Sequence, residues 1–148
     1  MAAETRVAIA SDEDMVKARA EGRALAAQLG FSKTDATLVA TAISEVARNI
    51  VVHAGRGEIV MRPVYDSHRH GIVVVARDSG PGIRDLDAAM RDGFGSPGGL
   101  GLGLPGAKRL MDEFHLDSRL GDGTTVTMKK WRIRDELERL RERRDGGG

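Results

Sequence analysis

Gly71-Ile72-Val73-Val74-Val75-Ala76-Arg77-Asp78-Ser79-Gly80-Pro81-Gly82 carries an apolar, β-branched run straight into a carboxylate and a glycine turn. Valine and isoleucine at this density predict a strand, and Gly80-Pro81-Gly82 punctuates its end. On the amino-terminal side, Gly57 to Val64 is a second β-branched run, and the polar stretch Asp66 to His70 between them predicts a hairpin. On the carboxyl-terminal side, glycine dominates from Gly80 to Gly106. That is too long for an ordinary connection, and such loops in compact domains are functional or disordered.

Outward from this centre, Thr5 to Ala10 alternates through Val7 and Ile9 and reads as a short strand. Ser11-Asp12-Glu13-Asp14 pairs a capping hydroxyl with an acid three positions on, so a helix should start there and run to about Leu29, stopped by Gly30. Ser32 and Asp35 repeat the device for a second helix, Lys33 to about Ala54, closed by Gly55. Its apolar positions Ala36, Val39, Ala40, Ile43, Ala47 and Ile50 follow helical spacing and should face a core. A third helix fits Leu104 to Glu113, with Pro105 in its first turn. Leu116 to Leu120 and Thr124 to Trp131 then predict a second hairpin around Gly121-Asp122-Gly123. Hairpins with helices between them predict an α/β two-layer sandwich, a mostly antiparallel, mixed sheet with helices on one face.

The chain has 148 residues, which suits one domain of the common size, about 100–150 residues. Residues 1–131 should form it. The tail from Arg132 to Gly148 differs: Ile133, Leu137 and Leu140 make a thin apolar stripe among Arg and Glu, before a glycine triplet expected to be disordered. A solvated helix or a docking contact would both suit that stripe. A formal net charge of +1 gives no electrostatic footprint for nucleic acid. The longest apolar run, Ile72 to Ala76, is far below the roughly 18 residues of a membrane span. Glu4, Arg6, Ser11 and Asp12 break up any signal-peptide pattern, and the absence of cysteine excludes disulfides and thiolate metal sites, so a cytoplasmic protein is expected.

Three groups of residues suggest chemistry. Glu45 and Asn49 stand four apart on the second helix, so they share a face about 6 Å apart among apolar neighbours. A buried carboxylate needs a partner. An Asn carbonyl suits a hard ion such as Mg²⁺, and a nearby Glu can position water or accept a hydroxyl proton; a polar edge of a half-exposed helix would look the same. Asp78, at a strand end before Gly80 and Gly82, can accept a hydrogen bond from an exocyclic amine such as that of adenine, or can cap a tight turn. Gly98-Gly99-Leu100-Gly101-Leu102-Gly103-Leu104 leads into the third helix, where free N–H groups and the positive dipole end suit phosphate; a flexible linker is the alternative. The run has neither the preceding strand of a dinucleotide fingerprint nor the Gly-Lys-Ser/Thr of a phosphate-binding P-loop. The histidines form no metal constellation: His68 and His70 fall in the predicted turn, where exposure is expected.

In this order the pieces resemble the GHKL (Bergerat-fold) ATPase and kinase superfamily. Glu45-x-x-Arg48-Asn49 looks like its N box, Asp78-Ser79-Gly80-Pro81-Gly82 its G1 box, and Gly99-Leu100-Gly101-Leu102-Gly103 its G2 box. Gly123-Thr124-Thr125 matches the later Gly-Thr element, with Thr125 carried over as a nucleotide contact. The resemblance implies ATP and Mg²⁺ as cofactors, Glu45 as base with Arg48 stabilising transferred charge, Asn49 as the Mg²⁺ ligand, Asp78 as the adenine contact and residues 82–99 as the lid. Ser44 to Ile50, Asp92-Gly93-Phe94, Gly98 to Phe114 and Lys130-Trp131 are similar, more narrowly, to the RsbT switch kinases of the bacterial stressosome, over about residues 5–131. That family implies phosphorylation of serine or threonine on STAS-domain scaffold or antagonist proteins, RsbS- and RsbR-like, followed by activation of an RsbU-like PP2C-type phosphatase. An anti-sigma-factor kinase and a nucleotide-gated binding module with negligible turnover are the alternatives. Sensor histidine kinases need a helix pair bearing the accepting His, which the residues before position 5 do not supply. The tail beyond Trp131 departs from the family.

Overall fold

The computed structural model describes residues 4–66, 68–83, 90 and 103–132. Strand β1 (Thr5–Ile9) is followed by helices α1 (Asp12–Gln28) and α2 (Lys33–His53), then strands β2 (Gly57–Asp66) and β3 (Arg69–Asp78). Helix α3 (Gly103–Leu110) and strands β4 (Glu113–Arg119) and β5 (Gly123–Trp131) complete the described elements.

The helix boundaries follow their capping residues. Ser11 Oγ accepts from Asp14 N at 3.3 Å while Asp14 Oδ2 accepts from Ala10 N at 2.8 Å, so two backbone N–H groups at the start of α1 are satisfied reciprocally. Ser32 Oγ does the same for α2, accepting from Asp35 N at 3.1 Å. Phe31 N donates to Ala26 O at 3.0 Å across Gly30, which ends α1 where the sequence predicts.

The five strands form one sheet in the order β1-β2-β3-β5-β4, and every pairing among the described strands is antiparallel. The registers place Val7, Ile59, Ala76, Val126 and Leu116 in one row and Met61, Val74, Met128 and Phe114 in the next. This face packs on α2, whose Val39, Ile43, Val46 and Ile50 are buried in the same core. All six core positions predicted on α2 are buried. The result is the expected two-layer α/β sandwich.

Two boundaries differ from the sequence reading. The β2–β3 hairpin is longer than expected: its ladder continues to Asp66↔Arg69, and Arg69 Nε donates to Asp66 Oδ2 at 3.0 Å to close the turn. His70 therefore lies in a strand rather than an exposed loop, half-buried, with Nε2 3.1 Å from Leu29 O. Helix α3 stops at Leu110 rather than Glu113. From Glu113 the polarity alternates, Phe114, Leu116 and Ser118 turning inward, and Asp112 N donates to Lys129 O at 2.9 Å, so the ladder of β4 captures residues that helical spacing would also have fitted.

Candidate nucleotide-binding site

Asp78 ends β3 on the helix-facing side of the sheet, directly opposite Thr124 of β5. It is 9% exposed; its Oδ1 accepts from Gly80 N at 2.9 Å, and its other oxygen has no partner among the described residues. A buried carboxylate with a free acceptor position calls for a donor from a ligand. The turn after it is pinned in place. Gly121 N donates to Pro81 O at 2.9 Å, and Ile83 N donates to Ser118 Oγ at 2.8 Å. Two glycines make this approach possible. Gly82 has φ 80° and any Cβ there would lie 2.2 Å from Arg119 O; Gly123 has φ 93° and its Cβ would lie 2.1 Å from Asp78 O.

The Gly-Thr element splits across the sheet. Thr124 is buried beside Asp78, with its Oγ1 2.8 Å from Ser118 Oγ. Thr125, the residue carried over from the sequence, pairs with Arg77 on the opposite face and is half-buried there, so the fold does not bring it to Asp78. The period of β5 contained this signal: Val126 and Met128 are core residues, and Thr124 shares their phase whereas Thr125 does not. Ser118, in the phase of Leu116, also escaped the sequence reading.

Glu45 and Asn49 lie one turn apart on α2, Glu45 at 8% exposure and Asn49 half-buried. Glu45 has no hydrogen-bond partner among the described residues, and with Arg48 it lines a groove of about 490 Å³ between α1 and α2, flanked by Asp12, Arg19 and Ser44. Asp78 borders a separate cleft of about 370 Å³ with Arg56 and Ser79. The two regions meet through the end of α2: a Cβ on Gly80 would stand 2.6 Å from Ala54 Cβ, so the turn after Asp78 abuts the helix that carries Glu45 and Asn49. Helix α3 packs on that same helix, with Gly103 half-buried at its start. Gly99, Leu100, Gly101 and Leu102 lie outside the described residues, as do most of the expected lid and the tail from position 133.

These residues suit a nucleotide. Asp78 offers an acceptor to an amine, and helix α3 packs on α2, the helix that carries Asn49. No group of three or more His, Asp or Glu able to hold a metal occurs among the described residues. A divalent ion at Asn49 would therefore take its other ligands from phosphate and water, which is how Mg²⁺ ordinarily binds. No described helix is long and apolar enough to cross a membrane.

Comparison with known proteins agrees with this fold. Residues 9–130 match the model of the histidine kinase-like ATPase domain. The chain is 50% identical over 125 residues to the serine/threonine-protein kinase RsbT of Bacillus subtilis, covering 84% of this chain and 94% of that one. It is 32% identical over 120 residues to an anti-sigma F factor of Caldanaerobacter subterraneus, covering 77% and 82% respectively. Among solved structures, the RsbU and RsbW domains of a Mycobacterium tuberculosis protein superpose with a TM-score of 0.58 at 22% identity. That match covers 90% of this chain but 33% of the other, and it speaks for the fold. The chain belongs to the histidine kinase-like ATPase family, in its branch of RsbT-type serine/threonine-protein kinases.

Proposed function

We propose that this chain transfers the γ-phosphoryl group of Mg²⁺-ATP to a serine or threonine of a STAS-domain scaffold or antagonist protein, RsbS- or RsbR-like, in the cytoplasm. Once released from that scaffold it binds and activates an RsbU-like PP2C-type phosphatase. The observation that carries the reading is Glu45: a buried carboxylate without a partner among the described residues, opening on a groove four residues before Asn49. The likeness to RsbT over 84% of the chain supports serine or threonine as the acceptor.

In this reading Asp78 accepts from the adenine amine, with the Thr124 hydroxyl beside it. Glu45 takes the proton of the substrate hydroxyl as that oxygen bonds to the γ-phosphorus and ADP leaves. Asn49 would hold Mg²⁺, which would supply charge neutralisation at the phosphates. Arg48, on the same side of α2 as the groove, stabilises the transferred charge, together with the N–H groups that lead into α3. Such catalysis is largely positioning and electrostatics.

A second reading is favoured by relatives that are about 30% identical and are named anti-sigma F factors: a kinase of the same STAS class that sequesters a sigma factor. Incubation with γ-labelled ATP and a STAS-domain protein, comparing wild type with Glu45→Ala, tests the chemistry. Label should appear on the STAS protein and fall at least about 100-fold in the variant. Transfer that survives the substitution removes Glu45 from the mechanism; ATP binding with no transfer to any STAS protein would leave a nucleotide-gated binding module. Co-purification of a sigma factor in place of a PP2C phosphatase would move the assignment to the second reading.

A further inference from the structure

Strand β5 turns Val126, Met128 and Lys130 toward the helices, so a lysine occupies a core-facing position at the end of the sheet opposite the Asp78–Thr124 pair. Lys130 is 8% exposed and sits beside fully buried Ile72. An ammonium in such a place is costly unless it is bonded. Its Nζ donates to Leu110 O at 3.0 Å and lies 4.0 Å from Asp112 Oδ1. Leu110 is the last residue of α3, so this carbonyl is among those a helix leaves without an internal partner, and a cation there matches the negative end of the helix dipole.

The same junction is tied again by neighbouring bonds. Asp112 N donates to Lys129 O at 2.9 Å, Trp131 N donates to Asp112 Oδ2 at 2.7 Å, and Trp131 Nε1 donates to Glu113 Oε2 at 2.6 Å. The carboxyl-terminal end of α3 is thus clamped to β5 from inside the core and from the rim. The helix has eight residues, a rod of about 12 Å, so a tilt of about 10° displaces one end relative to the other by about 2 Å. Its other end is where the glycine-rich run becomes helix.

We propose that Lys130 is a positioning residue for the nucleotide phosphates: by holding the carbonyl end of α3, it sets where the amino-terminal N–H groups of that helix point. This rests on the proposed function, in which the start of α3 meets phosphate and Asp78 meets the base. The two ends of the ligand separate Lys130's role from a general loss of structure, because adenosine uses Asp78 and has no phosphate.

Calorimetric binding of ATP and of adenosine to wild type, Lys130→Met and Lys130→Arg tests it. The Met variant should lose about tenfold in ATP affinity, with adenosine held within about twofold, and the Arg variant, which keeps the cation, should recover most of the loss. Equal weakening of both ligands, or no weakening of ATP, overturns the assignment. Should the Met variant not fold, Asp112→Ala decides, since Asp112 is 45% exposed. A loss of about threefold confined to ATP supports the clamp, and an unchanged ratio overturns it. Wild type that does not bind ATP defeats the nucleotide site itself; wild type that binds ATP beside variants with an unchanged ratio defeats only the role of Lys130.

Discussion

Replacing Asp78 with Asn tests the site at its most constrained point. The carboxylate is 9% exposed and already gives one oxygen to Gly80 N at 2.9 Å. The Asn carbonyl can keep that bond, which turns the amide NH₂ toward the ligand. An adenine amine then meets a donor in place of an acceptor. Loss of one charge-assisted hydrogen bond costs about 1.5–3 kcal/mol, and the unsatisfied donor adds about 1–2 kcal/mol. A total of about 2.5–5 kcal/mol corresponds to roughly a 60- to 4,000-fold rise in the ATP dissociation constant. The fold should not suffer, because a neutral amide is less costly to bury than a carboxylate with a single bond. Calorimetric titration with ATP, alongside a thermal melt, measures both quantities. A folded Asn variant that binds ATP within about threefold of wild type would refute the adenine-contact reasoning outright.

Thr124→Val should weaken ATP by about three- to tenfold, as expected for one neutral hydrogen bond, while Thr125→Val should leave it within about twofold because that side chain lies on the other face; equal effects in a binding titration would contradict the register. Gly123→Ala places a Cβ 2.1 Å from Asp78 O at φ 93°, whereas Gly121→Ala meets nothing within 4 Å at φ 84°. The first should lower the melting temperature by about 10 °C and the second by about 3 °C, read by calorimetry; a mild Gly123→Ala would mean the turn after Asp78 is not held against the β4–β5 hairpin.

The local devices were legible in the sequence because they act over a few residues. Ser11 with Asp14 and Ser32 with Asp35 begin helices where the capping pattern puts them, and the six apolar positions of α2 are in the core. The order of Glu45, Asn49, Asp78 and the glycine-rich run was also enough to indicate the family. Where two local rules competed, the sequence was ambiguous. Residues 111–115 fit helical spacing and strand alternation alike, and the choice came from a long-range bond, Asp112 N to Lys129 O.

What only the tertiary structure decided is which side chains meet. Asp78 and Thr124 are 46 residues apart by number and become neighbours because β3 and β5 pair, skipping β4. That register puts Thr124, and not Thr125, beside Asp78, and a shift of one residue would have reversed the two. It likewise sends Lys130 inward to the end of α3, a contact that no local pattern around Lys130 announces. Capping and periodicity are properties of a segment, so residues alone determine them. Pairing across strands is a property of the whole sheet, so it exists only once the chain has closed on itself.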